Sequence, residues 1–209
     1  MPQITAIKLQ KKNDRYNVFV DGEFLFSLPS EIILRENLKQ GSTISSGKIQ
    51  ELIKESEFAA VFDKVLRFLS YRPRSFFEIE GYLEKNKVGK ETQKLVKNKL
   101  GSLKLIDDEA FVRWWIEQRT KFRPKGRYFI IAELNQKGIA KDLIEKVLPE
   151  ERTKDDERSV AQKIALKKLE RIKNLPENEK KLKLYSALSQ RGFSYDIIKE
   201  IVDKVLEKE

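Results

Sequence analysis

Apolar residues follow two different periods along this chain. Over residues 4–28 they alternate or cluster in short runs. Ile4, Ala6, Ile7 and Leu9 predict a first strand, ended by Lys11-Lys12-Asn13-Asp14. Tyr16, Val18 and Val20 predict a second. Asp21-Gly22 supplies the positive φ angles of a tight hairpin, and Glu23 to Ser27 return as a third strand. Ser30 is placed to cap a short helix, Glu31 to Leu38, that Gly41 ends. Ile44 either begins a further strand or leads into the next helix. The head is therefore a small unit of three or four strands.

From about Gly47 the period becomes helical. Leu52, Ile53, Phe58, Val61, Phe62, Val65, Leu66 and Leu69 recur at helical spacings and stop before Arg72-Pro73, because proline disfavours helical geometry in the residue before it. Ser75, with Glu78 three residues on, predicts a capping box. Phe76, Ile79 and Leu83 form the stripe of the helix it opens. Leu95, Val96 and Leu100 mark a third helix, roughly Lys90 to Leu100. Asp107-Asp108 then caps the next, and Asp155-Asp156-Glu157 is expected to do the same one unit later. The pair is a capping pattern rather than a metal-ligand set.

This helical pattern repeats. Tyr71-Arg72-Pro73-Arg74 matches Phe122-Arg123-Pro124-Lys125 at an offset of 51, as Leu83 matches Leu134. Leu134-Asn135-Gln136-Lys137-Gly138-Ile139 matches Leu188-Ser189-Gln190-Arg191-Gly192-Phe193 at an offset of 54. Gly138 and Gly192 fall where a helix must end in a left-handed residue, and Ile139 and Phe193 then pack back onto it. Lys137 and Arg191 suit the negative helix end. Pro149-Glu150-Glu151-Arg152-Thr153-Lys154 is a candidate polar hinge. In the third copy Asn174-Leu175-Pro176-Glu177 replaces the aromatic-Arg-Pro-basic turn. The expected fold is mainly α: three tandem three-helix units in an elongated curved array, with a small N-terminal β domain. The expected boundaries are 1–46 for the head and 47–106, 107–149 and 150–209 for the units.

Composition sharpens this picture. The 209 residues are 36% charged and 40% hydrophobic, which suits many small cores better than one large core. The net charge of +10 is concentrated in the helical part, most of all over residues 57–106. A basic elongated surface points to a polyanion, or to a partner that carries one. The chain has neither cysteine nor histidine. Disulfides, thiol nucleophiles, histidine bases and Cys/His zinc sites are thereby excluded. No apolar run approaches the roughly 20 residues of a membrane span. The chain has no glycine-rich phosphate loop and no nucleophile-base pair. The expectation is a non-enzymatic cytoplasmic protein with no metal or cofactor, not bound to a membrane, and monomeric.

The strongest candidate site is Arg119 to Arg127, with five basic residues in nine and no acid between Glu117 and Glu133. Arg119, Lys121, Arg123, Lys125 and Arg127, with Arg72 and Arg74 in the equivalent earlier turn, are placed to reach phosphates or a carboxylate-rich partner. The alternative is a solvated loop. Trp114 and Trp115 are adjacent on one helix. Packing is the expected use of both, although an exposed one would stack on a base or anchor an interface.

These residues resemble the RecX family. The likeness is carried by Tyr71-Arg72-Pro73-Arg74-Ser75, Leu105-Ile106-Asp107-Asp108-Glu109-Ala110-Phe111, Gly126 to Leu134 and Lys137-Gly138-Ile139. In the head, Gln10-Lys11-Lys12 and Tyr16 to Glu23 are similar to the N-terminal extension of longer members. The resemblance implies a regulator of the RecA recombinase in homologous recombination, DNA repair and the SOS response. Such a protein lies in the groove of a RecA filament on single-stranded DNA and hinders filament growth, ATP hydrolysis and strand exchange. The competing reading is a DNA- or RNA-binding helical repeat protein of other purpose; a third is a scaffold that only joins proteins.

Overall fold

The computed structural model describes residues 1–11 and 14–207. Lys12 and Asn13, expected to help end the first strand, lie outside the described residues. Among those described, β1 (Ile4–Leu9), β2 (Arg15–Val20) and β3 (Glu23–Pro29) form an antiparallel sheet in that order. Asp21 and Gly22 have φ of 51° and 91°, and Val20 pairs with Glu23 across them. Two successive positive φ angles match the right-handed twist of the flanking strands. Ile4, Val18, Phe26 and Leu28 turn inward and pack with Ile32, Ile44 and Leu52.

Ile44 starts no strand. Thr43 makes only an isolated bridge to Gln3, and the Ile44 N–H donates to the Pro2 carbonyl at 2.9 Å. Helix α1 (Ser30–Arg35) is shorter than expected. Ser30 lies inside it, and its hydroxyl donates to Asp14 rather than capping. The helix ends well before Gly41, at Glu36, and Asn37 then takes φ +49°.

The remaining elements are all helical. They are α2 (Ser46–Ser70), α3 (Phe76–Lys85), α4 (Lys90–Ser102), α5 (Asp108–Lys121), α6 (Arg127–Gln136), α7 (Lys141–Glu151), α8 (Lys154–Glu170), α9 (Glu177–Ser189) and α10 (Tyr195–Leu206). They form three successive three-helix groups, α2–α4, α5–α7 and α8–α10. By compactness the chain divides into two units. One comprises 1–72 and 80–105, the other 73–79 and 106–209, so the division passes through α3.

In the first unit, Ser45 caps α2 by accepting from the Lys48 N–H. The nearly buried Arg15 ties β2 to that helix, donating to the Ser27 carbonyl at 2.7 Å and pairing with Asp63 at 3.4 Å. Leu52, Val65, Leu83, Val96 and Leu100 are buried, but Leu95 is exposed. Thr92 and Gln93 are buried in its place. Gln93 satisfies its amide on the Val88 carbonyl, and Thr92 donates to Glu57.

The second unit has two apolar centres. Phe111, Val112, Ile116, Ile130, Leu134 and Val147 belong to one. Ala161, Leu184, Leu188, Ile201 and Val202 belong to the other. Gly138 and Gly192 have φ of 73° and 80°. The N–H groups of Ile139 and Phe193 return to the carbonyls of Leu134 and Leu188, and both side chains are buried. This is the left-handed helix stop with its apolar clasp.

The expected hinge is not a polar loop. Pro149 to Glu151 continue α7, α8 begins at Lys154, and Arg152 between them is buried. Nor do Asp155-Asp156-Glu157 cap α8 as Asp107 caps α5. Thr153 is the cap, in a reciprocal box with Asp156.

Candidate functional site

The basic turn forms where α5 runs out at Phe122 and Pro124 prevents its continuation. Arg119 lies one helical turn beyond Trp115, so the two side chains share a face. The guanidinium lies over the indole at 4.3 Å and binds Glu133 of α6 through Nε (2.6 Å) and Nη2 (3.0 Å). The Trp115 indole N–H donates to the same carboxylate at 2.9 Å. Arg119 is therefore neutralised inside the fold, in the bidentate geometry that suits its planar fork.

The other cations of the turn are held less firmly. Lys121 pairs with Glu117 one turn back, at an exposed position. The Lys125 ammonium sits 3.7 Å from the Phe129 ring centre, and its backbone N–H donates to the Arg119 carbonyl. Among the described residues neither the Arg123 nor the Arg127 side chain makes an ion pair, and Arg123 is exposed. Phe122 and Tyr128 beside them are also exposed, as are Tyr71 and Phe77 at the equivalent places 51 residues earlier. Trp115 is buried and Trp114 packs against the same core, so neither tryptophan is a free stacking surface.

A helix N-terminus is normally open to an anion, because its first N–H groups lack partners. That of α6 is already occupied. The Gly126 N–H donates to the Arg191 carbonyl at 2.7 Å, that of Arg127 to Glu157 at 2.7 Å and that of Tyr128 to the Gly192 carbonyl at 3.1 Å. A Cβ on Gly126 would lie 2.2 Å from the Gly192 oxygen, so only glycine permits the approach. Beneath the turn, Arg152 donates to the Lys125 carbonyl. Among the described residues its Nε and Nη2 have no hydrogen-bond partner. Burial makes the Arg152 guanidinium less basic than usual, opposed by the nearby Glu157 and Asp156 charges.

The same joint occurs at the start of α3. The Phe76 N–H donates to Asp108 at 2.8 Å, and the buried Ser75 hydroxyl donates to the Lys137 carbonyl at 2.7 Å. Gly138 lies so close to Phe77 that a Cβ would meet that side chain at 2.4 Å. In both joints a carboxylate from the first helix of one group caps the second helix of the group before it. The capping box of Ser75 and Glu78 is also present, although Phe76 stays partly exposed rather than buried. Glu78 binds Lys137 at 2.7 Å, which diverts that lysine from the helix end expected for it. Arg191 does meet its helix end, donating to the Ala187 carbonyl.

Elsewhere in this unit, Arg113 of α5 is held firmly protonated by Glu109, Glu151 and Glu150. Sequence reasoning missed Asp108, Glu133, Arg152 and Glu157 as partners of the turns. The repeated acids were visible, but which backbone they meet depends on packing. Among the described residues no three acidic side chains converge as a metal site. Nor, among the described residues, is any helix long and apolar enough to cross a membrane.

Three family models match parts of the chain. Residues 2–45 match the family model of the RecX N-terminal domain, 107–148 that of the second three-helix domain and 155–202 that of the third. The regulatory protein RecX of Bacillus subtilis is 32% identical over 98% of this chain and 78% of its own length. That of Listeria innocua is 31% identical over 94% of this chain and 73% of its own. A crystal structure of regulatory protein RecX superposes with a TM-score of 0.72 at 28% identity, covering 97% of this chain and all of the other. RecX from Lactobacillus salivarius covers 71% of this chain, and 96% of its own, with a TM-score of 0.63 at 26% identity.

Proposed function

Because this chain belongs to the RecX family, we propose that it is a non-catalytic regulator of RecA. It binds RecA filaments on single-stranded DNA along their helical groove and inhibits filament extension, ATP hydrolysis and strand exchange. The modules 1–46, 47–106, 107–149 and 150–209 together contact adjacent RecA subunits. The observation that supports this reading is the recurrent turn that sets an exposed aromatic residue, Tyr71 or Phe122, beside basic residues before the second helix in successive modules. Arg72, Arg74, Lys121, Arg123, Lys125 and Arg127 meet acidic protein surface or enclosed DNA backbone. Arg119, paired with Glu133, positions the turn.

A base-reading duplex binder is disfavoured by α3. Its Glu78, Glu80 and Glu84 are held in ion pairs with Lys137, Lys97 and Lys90, so the helix offers ion pairs rather than a row of donors to base edges. The test is RecA's DNA-dependent ATP hydrolysis, measured with the protein added. Inhibition is expected, weakened severalfold by Arg123→Gln with Arg127→Gln. Unchanged hydrolysis at several-fold excess over RecA overturns the proposal.

A further inference from the structure

The third helical group holds a basic cleft that the candidate turn does not include. It is an open groove of about 610 Å³ between α8 and α9. Lys167, Lys168 and Arg171 line one wall and Lys183 and Arg191 the other, and no carboxylate lines it. Among the described residues Lys167, Lys168, Arg171 and Lys183 make no ion pair. By contrast, Lys48, Lys97, Lys137 and Lys181 each meet a carboxylate. The flexible lysine stems carry ammonium groups that need no fixed partner geometry. Two of them, Lys167 and Lys168, lie in the last turn of α8, where the helix end favours cations. That explains their presence on α8 but not Lys183 in the body of α9.

The remaining lining favours a strand over a surface. Ile164 and Leu182 supply aliphatic wall, and Ser186 and Gln190 supply polar groups. A folded acidic protein presents a convex face, which does not enter a slot between two helices. A single phosphodiester strand is thin enough, regularly charged and tolerant of such a lining. Pro124, from the basic turn, also lines the cleft, so a strand lying in it runs toward Arg123 and its neighbours.

We propose that the α8–α9 cleft is a second contact site, which binds the backbone of single-stranded nucleic acid without regard to sequence. In taking nucleic acid as the occupant it rests on the function proposed above. The binding experiment contains no RecA, so its outcome and that of the RecA assay are separate.

The full chain is titrated against a fluorescent single-stranded oligothymidylate at several salt concentrations. Lys167→Gln, Lys168→Gln and Lys183→Gln are combined in one variant. Loss of three phosphate contacts lowers the salt slope by about 2 and weakens binding roughly ten- to hundredfold. Wild-type affinity and slope in that variant overturn the proposal, as does absence of binding by the parent chain. So does equal competition by polyglutamate or by duplex DNA. Because the chain lacks cysteine, Ser186→Cys gives a single point for a photo-crosslinker. Crosslinking to the oligonucleotide is expected, independently of the lysine variants. Its absence under saturating binding also overturns the assignment.

Discussion

The turn between α5 and α6 and the cleft between α8 and α9 each gather five cationic side chains, yet the fold treats them differently. In the turn, Arg119 is locked to Glu133 and Trp115, Lys125 covers Phe129, and the backbone beneath is fastened to the third group through Arg191 and Gly192. In the cleft, four of the five cations face solvent with no opposing carboxylate. Charge density alone does not separate a structural arginine from a binding one. What separates them is whether an acid and an aromatic ring lie within reach once the helices have packed.

The sharpest way to break this contrast is to attack the backbone of the turn. Gly126→Ala drives a methyl group into the Gly192 carbonyl and is expected to cost about 3 kcal/mol or more in chemical denaturation. Gly81→Ala is the control. It lies within α3 with open space around it, and is expected to stabilise by up to about 1 kcal/mol. If both substitutions are equally tolerated, the joint does not hold the turn.

A smaller effect distinguishes the cations themselves. Arg119→Leu leaves Glu133 largely sheltered without its partner and is expected to cost about 1–3 kcal/mol, less than a fully buried pair because both side chains keep some water contact. Lys183→Gln in the cleft is expected to change stability by less than about 0.5 kcal/mol. Thermal melts of the two variants compare them directly. Equal shifts would mean that the two regions use charge alike.

The smallest effect is set by pH at the start of α8, which supports one wall of the cleft. The Asp156 carboxylate accepts from the Thr153 hydroxyl and then the Thr153 backbone N–H, and both hold it below the usual aspartate range. A carboxylate whose folded value is depressed stabilises the fold above its unfolded value, and that contribution fades as pH falls through the lower folded value. Lower amide protection in the first turn of α8, after correction for the intrinsic exchange rate, is therefore expected below roughly pH 4. Asp156→Asn is expected to remove most of that acid dependence. An unchanged acid response would mean that other carboxylates govern it.

The periodicities were enough to read much of the molecule. Alternation in the head, with Asp21-Gly22 at its turn, is legible because a two-residue hairpin tolerates few other residues. The helix stops at Gly138 and Gly192 are legible for the same reason: a left-handed residue is costly for most side chains. Leu95 and Phe76 were misplaced because spacing states that an apolar stripe exists, not which of its edge residues another helix covers. Pro149 to Lys154 looked like a hinge by composition, yet the helix continues and Arg152 is buried under the turn. The acids of Asp155-Asp156-Glu157 recur in sequence, yet Asp156 only completes the box around the Thr153 cap of α8, and Glu157 accepts from the first N–H of α6.

Local chemistry, then, is written in the order of residues: which segments are strands, which are helices, where each must stop, and that the chain carries excess positive charge on repeated modules. Backbone preferences and side-chain periods act over a few residues, so a linear reading captures them. Only the tertiary structure decided that Arg119 is bound internally, that the N–H groups opening α6 are already engaged, and that Lys183 faces Lys167 and Lys168 across a cleft. Those facts depend on distances between residues far apart in the chain, and such distances are set by how the helices pack.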